Sequence, residues 1–274
     1  MVKRIITAVV GTALLIPVLW YSDTYLFVAA FAVVSVVGNF ELIRCIGMEK
    51  HYALTIPQYL IAAAFPFLMR FGVSDTRFFF AAAFLQMTYL LYLLAAAVFS
   101  HGKIRAESCA MIYALCFYIN MGFGSIILLR DYEGVGQYVF LLVFVGAWIT
   151  DIFAYFCGLA FGRHKLIPDV SPKKTVEGSI GGIAFCAFAF AVYGLIVSHF
   201  FETELNITAL VVFGMIISVV SQIGDLAASL IKREYGIKDY GNCFPGHGGV
   251  LDRFDSVLSV ATVLLILVYT YKIV

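Results

Sequence analysis

The sequence predicts an all-α integral membrane protein, a polytopic bundle of about nine transmembrane helices with its N-terminus in the cytoplasm. Three observations carry this. The 274-residue chain has a mean hydropathy of +0.97, with 62% hydrophobic and only 13% charged residues, whereas soluble domains carry about a quarter charged residues. Its apolar residues fall in runs of about 20, the length that crosses the hydrocarbon core of a bilayer. Its basic residues are shared very unequally between alternate loops.

Taken in order, the apolar runs cover roughly 5–21, 25–44, 54–69, 78–99, 108–129, 137–161, 179–201, 205–231 and 255–271. The first follows Lys3-Arg4 and lacks a small-residue cleavage signal, so it reads as a retained helix rather than a signal peptide. The third is short and holds Pro57 and Pro66, so it reads as kinked or only partly spanning. With the N-terminus inside, the cytoplasmic side receives fourteen basic residues: Lys3, Arg4, Arg44, Lys50, Lys103, Arg105, Arg163, Lys165, Lys173, Lys174, Lys232, Arg233, Lys238 and Arg253. The other side receives Arg70, Arg77, Arg130 and Lys272. That asymmetry obeys the positive-inside rule. It predicts a multi-pass protein of the cell (inner or plasma) membrane, with the polar loops 162–178 and 232–254 in the cytoplasm.

No linker, repeat or low-complexity segment divides the chain. It reads as one membrane domain over 1–274, with N-terminal helices in 1–135 and a catalytic portion in 136–274. The six cysteines are scattered singly without a CxxC pair, which points to neither a disulfide framework nor a zinc site.

Chemistry concentrates in residues 229–255, SLIKREYGIKDYGNCFPGHGGVLDRFD. Ionisable side chains at the end of a membrane span are costly, and a functional site is their default explanation. Asp225 lies inside the eighth apolar run, while Asp252 and Asp255 open the ninth at i, i+3, one face of a helix. Carboxylates crowded in a low dielectric repel unless a cation compensates them. A hard divalent ion, magnesium above all, takes such oxygen ligands together with substrate phosphates. One or two divalent ions are expected on Asp225, Asp252 and Asp255, and a monovalent ion is also compatible. Pairing of Asp252 or Asp255 with Arg253 or Arg233 is the competing reading.

The same loop supplies cations and a flexible backbone. Lys232, Arg233, Lys238 and Arg253 can bind phosphate oxygens. Pro245-Gly246-His247-Gly248-Gly249 can turn sharply and present N–H groups to an anion. A lipid-headgroup patch followed by an ordinary turn would account for the cations, but not for the interleaved acids and glycines. His247 reads equally well as a phosphate donor or as a structural hydrogen-bonder.

The loop GRHKLIPDVSPKKTVEGSIGG (162–182) places Ser171, Lys173, Lys174 and Thr175 just before a helix. These are phosphate-binding groups, although a positive-inside loop with a helix cap has the same composition. Upstream, Thr150-Asp151 and Tyr155 share the sixth run with Gly158 and Gly162, a spacing that suits close helix packing. Asp151 is a candidate substrate group. Glu41, three residues before Arg44, reads as a satisfied structural pair.

The string Ser229-x-Ile231-Lys232-Arg233-x4-Lys238-Asp239-x-Gly241-x2-Phe244-Pro245-x-His247-Gly248-Gly249-Val250-x-Asp252-Arg253-Phe254-Asp255 resembles the signature of the phosphatidate cytidylyltransferase (CDP-diacylglycerol synthase) family. TDIFAYFCG (150–158) and SPKKTVEG (171–178) resemble that family's upstream motifs. The resemblance covers about 150–256; the N-terminal half matches only as apolar helices. It implies transfer of a cytidylyl group from CTP to phosphatidic acid, releasing pyrophosphate. It also implies catalytic roles for Asp225, Lys232, Arg233, Lys238, Asp239, His247, Asp252, Arg253 and Asp255, with substrate contacts from Asp151, Ser171, Lys173, Lys174, Thr175, Gly248 and Gly249. The expected partners are CTP, phosphatidic acid and membrane lipid, with no nucleic acid; a homodimer is compatible with the sequence. The alternatives are a CTP-dependent lipid kinase, which would release CDP, and an ion transporter, which would line several spans with polar residues.

Overall fold

The structure, a computed structural model, describes residues 11, 13, 15–244, 246, 248–271 and 273. Residues 5–10, 12 and 14 of the first expected span, with Lys3, Arg4, Pro245, His247 and Lys272, lie outside the described residues; positions 15–20 are helical. Among the described residues, seven helices are long and apolar enough to cross a membrane, and the chain is an all-α polytopic membrane protein.

The chain divides into two compact units, Met1–Asp131 with Ile237–Arg253, and Tyr132–Gly236 with Phe254–Val274. The first holds α1 (Tyr25–Cys45), α2 (Tyr52–Ser74), α3 (Arg77–Phe99) and α4 (Ala106–Arg130). Its apolar centre includes Phe27 packed edge-on against Phe31 at 4.9 Å, and Phe31 against Phe123 at 5.9 Å. Beside these rings runs a buried polar chain. Gln58 Nε2 donates to Asn39 Oδ1 at 2.9 Å, and Asn39 Nδ2 donates to Asn120 Oδ1 at 3.0 Å. Such amides in membrane helices hydrogen-bond across helix interfaces. Outward, α3 exposes Phe80, Phe84, Leu91 and Val98. So large an apolar face would be a liability in water and is the ordinary face of a helix in lipid.

The third span differs from its sequence-based reading. Instead of an only partly spanning segment, α2 is a 23-residue helix, long enough to cross a membrane, with both prolines inside it. Proline removes the hydrogen bond to the carbonyl four residues earlier, which for Pro57 is that of Ala53. The Tyr92 hydroxyl, from α3, donates to this carbonyl at 2.9 Å. A neighbouring helix thus satisfies the group that proline leaves open, as membrane helices require.

The second unit begins with the short turn Gly136–Val139, then α5 (Leu141–Phe161), α6 (Val176–Phe200) and α7 (Ile207–Glu234). Between α5 and α6, the segment read as a loop is an antiparallel hairpin of β1 (Lys165–Ile167) and β2 (Ser171–Thr175), with Lys165 opposite Thr175 and Ile167 opposite Ser171. Helix α6 is N-capped by Thr175 and α7 by Asn206, whose side chains accept from Gly178 N–H at 3.1 Å and Ala209 N–H at 3.0 Å. Lys232 and Arg233 close the last turn of α7, where the carbonyl end of the helix dipole favours cations. Helix α8 (Leu251–Thr270) covers the ninth expected span and begins four residues earlier than the run 255–271.

Glycines set how closely α5 and α6 approach. A Cβ on Gly178 would lie 2.9 Å from Thr175 Oγ1 and 3.1 Å from Gly158 Cα; one on Gly162 would lie 2.8 Å from Thr175 Cγ2. The Gly158/Gly162 pair therefore serves helix packing, and the end of the hairpin is seated directly on it.

Candidate active site

In the second unit the acidic residues are drawn together by a near-backbone contact of α7 with α8. A Cβ on Gly224 would be 3.0 Å from Ser259 Cβ and 3.2 Å from the Asp255 carbonyl oxygen. The following residue is Asp225, which acts electrostatically on Asp255, as do Lys232 from the last turn of α7 and Asp151 from α5. The Asp255 Oδ1 accepts the N–H of the next residue, Ser256, at 2.8 Å.

Strand β2 brings a further cation. Lys174 Nζ forms an ion pair with Asp225 Oδ2, both side chains being about three-quarters buried. The hairpin is held for this by Glu177, whose carboxylate accepts the N–H groups of Arg163 at 3.1 Å and His164 at 3.2 Å, with His164 Nδ1 at 2.6 Å. Lys173, next to Lys174, is exposed, and Ser171 is half-buried at the start of the strand. Thr175 is buried, with its hydroxyl engaged as the α6 cap.

In the first unit the loop before α8 is a tight structure rather than an open cradle. Phe244 N–H donates to the Gly248 carbonyl at 2.9 Å, and the turn uses left-handed backbone at Gly246 (φ 81°) and Gly248 (φ 88°). Asp252 closes this turn, its Oδ2 accepting the N–H of Tyr240 and of Gly249, each at 2.8 Å. Gly249 N–H is thus directed to Asp252, and Gly248 lies against the same carboxylate, with its own Cβ position 3.1 Å from Asp252 Cγ. Lys238, Asp239 and Arg253 are exposed, as is Arg233 in the other unit, whereas Lys232 is buried.

Glu41 changes partner relative to its sequence-based reading. It is 3% exposed, and rather than closing on Arg44 it accepts Val250 N–H on Oε1 at 3.0 Å and Leu251 N–H on Oε2 at 2.9 Å. Arg44 Nη2 donates to the Tyr240 carbonyl at 2.7 Å. Main-chain N–H groups at the start of α8 take both oxygens of Glu41, while Arg44 is turned to the Tyr240 carbonyl.

The second unit therefore gathers Asp151, Asp225, Asp255, Lys174 and Lys232, and the first holds Asp252, Gly248 and Gly249 beside Glu41. His247 falls outside the described residues. Among the described residues no three His, Cys, Asp or Glu side chains are grouped as a ready metal cage. The arrangement is one of paired carboxylates and ammonium groups at the polar end of apolar helices, suited to neutralising a polyanion and a cation together.

Comparison with known proteins extends this beyond the signature region. A model of the cytidylyltransferase family matches residues 2–271. A phosphatidate cytidylyltransferase of Staphylococcus haemolyticus (strain JCSC1435) is 31% identical over 269 residues, covering 96% of this chain and 97% of that protein. One of Bacillus subtilis (strain 168) is 32% identical over 269 residues, covering 95% and 94%. One of Staphylococcus aureus (strain COL) is 30% identical over 271 residues, covering 96% and 97%. The likeness thus takes in the N-terminal helices as well as residues 150–256, and the chain belongs to the cytidylyltransferase family.

Proposed function

We propose that this protein transfers the cytidylyl group of CTP to phosphatidic acid, giving CDP-diacylglycerol and pyrophosphate, at the cytoplasmic face of the cell membrane. The observation that carries the reading is the cluster Asp225, Asp255, Lys174 and Lys232 on membrane helices and the hairpin between them. One substrate is a soluble polyanion and the other a lipid whose phosphate sits at the interface. Charged groups at the end of apolar helices suit that pair of substrates. The names and full-length likeness of the relatives support the same chemistry.

A divalent ion fits this cluster. Asp225 and Asp151 act electrostatically on Asp255, and repulsion between carboxylates in a low dielectric is relieved by a cation. Magnesium binds through one or two carboxylates together with substrate phosphates, so Asp225 and Asp255 suffice. Asp252, three residues before Asp255 on α8, is the third ligand candidate. When bound, the ion supplies Lewis-acid polarisation of phosphate oxygens.

The residues of the chain position and neutralise. A phosphate oxygen of phosphatidate attacks the α-phosphorus of CTP, a P–O bond forms, and the bond to the bridging α–β oxygen breaks with pyrophosphate leaving. Phosphatidate is already ionised near neutral pH, so no general base is needed. Lys232, Arg233, Lys238 and Arg253 stabilise the departing charge, while Ser171, Lys173 and Lys174 hold a substrate phosphate. Such transfers depend on positioning and electrostatics more than on covalent chemistry. The test is purified protein in detergent with labelled CTP and phosphatidic acid, with and without magnesium. CDP-diacylglycerol and pyrophosphate in equal amounts are expected; release of CDP would assign a lipid kinase instead.

A further inference from the structure

Glu41 lies in α1, in the half of the chain for which sequence motifs supply no role, and we propose that it is a positioning residue for the reaction. By binding the N–H groups of Val250 and Leu251, it fixes where helix α8 begins, and so the placement of Asp252 in its first turn. The inference rests on the cytidylyl-transfer reading for the meaning of that first turn, and on geometry alone for the anchoring.

Four features of the first unit converge on this anchor. Both carboxylate oxygens of Glu41 are engaged, each with a different main-chain donor, at 3.0 and 2.9 Å. Hydrogen bonds to an ionised acceptor are the strong kind, and the N-terminus of a helix favours an anion. Second, the loop has no room for side chains around the carboxylate. A Cβ on Gly241 would stand 2.7 Å from Glu41 Cδ, and one on Gly249 2.5 Å from it. Glu41 thereby gives two signature positions a packing reason to be glycine. Third, one turn earlier on α1, Gly38 admits Leu251, whose Cδ2 would be 3.2 Å from a Cβ there. One turn later, Arg44 holds the Tyr240 carbonyl at the far side of the loop. Fourth, Asp252 bonds Tyr240 N–H and Gly249 N–H from within, so its own orientation depends on the loop that Glu41 holds.

A carboxylate buried in a membrane helix is costly unless its bonds repay it. Here the repayment is the start of α8. An anchor of this kind makes a sharp distinction between Glu and Gln. The glutamine amide keeps one acceptor but turns an NH2 group toward the second N–H, so one of the two bonds is lost with almost no change in volume.

The experiment uses the full chain in detergent with two variants, Glu41→Gln and Gly241→Ala, the second displacing the carboxylate from the loop side with Glu41 intact. Steady-state kinetics are measured beside hydrogen–deuterium exchange of the peptides spanning 240–252. Both variants should lower kcat by about tenfold or more with the KM for CTP changed less than about threefold, the split expected when ground-state binding survives. Both should raise exchange in 240–252 while the peptides of α2 to α4 keep their protection. Wild-type kcat together with wild-type exchange in both variants would overturn the proposal. So would exchange raised throughout the chain with full turnover in the fraction that stays folded, since Glu41 would then serve stability alone. Should the wild type make no CDP-diacylglycerol at all, the functional reading fails. The exchange measurement still decides whether Glu41 anchors α8.

Discussion

Lys174 and Asp225 form an ion pair that joins the second strand of the hairpin to the interior of α7. The pair explains how an aspartate can stand inside an apolar helix, and it couples the two polar segments of the second unit. Breaking it from one side should leave the other charge uncompensated. Asp225→Ala and Lys174→Ala should therefore be strongly non-additive in activity, with the double variant no worse than the more damaged single variant. Independent contributions would instead multiply, and the four rates of the cycle separate the outcomes. Asp225→Asn should also lose magnesium response along with about 10²–10³ of the rate, the scale of one lost electrostatic contact in a transition state.

Asp252 and Asp255 sit on the same helix but should fail in different ways. Asp255 accepts the Ser256 N–H, a bond that an asparagine oxygen can keep, so Asp255→Asn should remove most activity while the protein still folds in detergent. Asp252 accepts two buried N–H groups. Asp252→Ala should leave both without an acceptor, at a cost of about 1–3 kcal/mol for each buried group. Asp252→Asn keeps an oxygen there and should fold better than the alanine variant while remaining poorly active. Thermal melts beside specific activity read this out; equal melting temperatures for Asp252→Ala and Asp252→Asn would count against the clamp.

Thr175 was a candidate substrate ligand by sequence, and its hydroxyl caps α6 in the structure. Thr175→Ser should therefore be close to wild type, and Thr175→Val should lose about 1 kcal/mol of stability, the usual value of such a cap. Gly178→Ala should cost more, about 1–3 kcal/mol, because the new methyl would overlap a packed α5 backbone. If Thr175→Val lost turnover far beyond its loss of folded protein, Thr175 would touch substrate as well as cap the helix.

The helices were legible because lipid leaves one solution for a long apolar segment, a hydrogen-bonded helix. Where that rule was obscured, the reading slipped. Pro57 and Pro66 make α2 read as only partly spanning, and nothing near them in sequence indicates that Tyr92 of α3 supplies a donor to the Ala53 carbonyl. The hairpin 165–175 was missed because its strands are only three and five residues long; Pro168-Asp169 between Ile167 and Val170 was the turn signal available. Among the site residues, the i, i+3 aspartates of α8 and the charged end of α7 follow from local spacing. The bonds of Glu41 could not be read that way, because Glu41 and Val250 are 209 residues apart in the chain. A carboxylate inside an apolar run was itself the clue that a partner beyond its neighbours existed.

The cytoplasmic placement of the hairpin and of the loop before α8 rests on the fourteen-to-four division of basic residues and on the need for CTP, so it calls for a direct measurement. Cys243 is exposed in that loop and can serve as its own reporter once the other five cysteines are replaced. A cysteine introduced at the exposed position Lys165 reports on the hairpin, and one at exposed Glu202 on the opposite side. In intact cells an impermeant thiol reagent should label position 202 and spare 165 and 243, and opening the membrane should expose both. Labelling of 165 and 243 from outside would invert the topology. The carboxylates and ammonium groups would then face a compartment without nucleotide, and cytidylyl transfer from CTP at this site would be untenable.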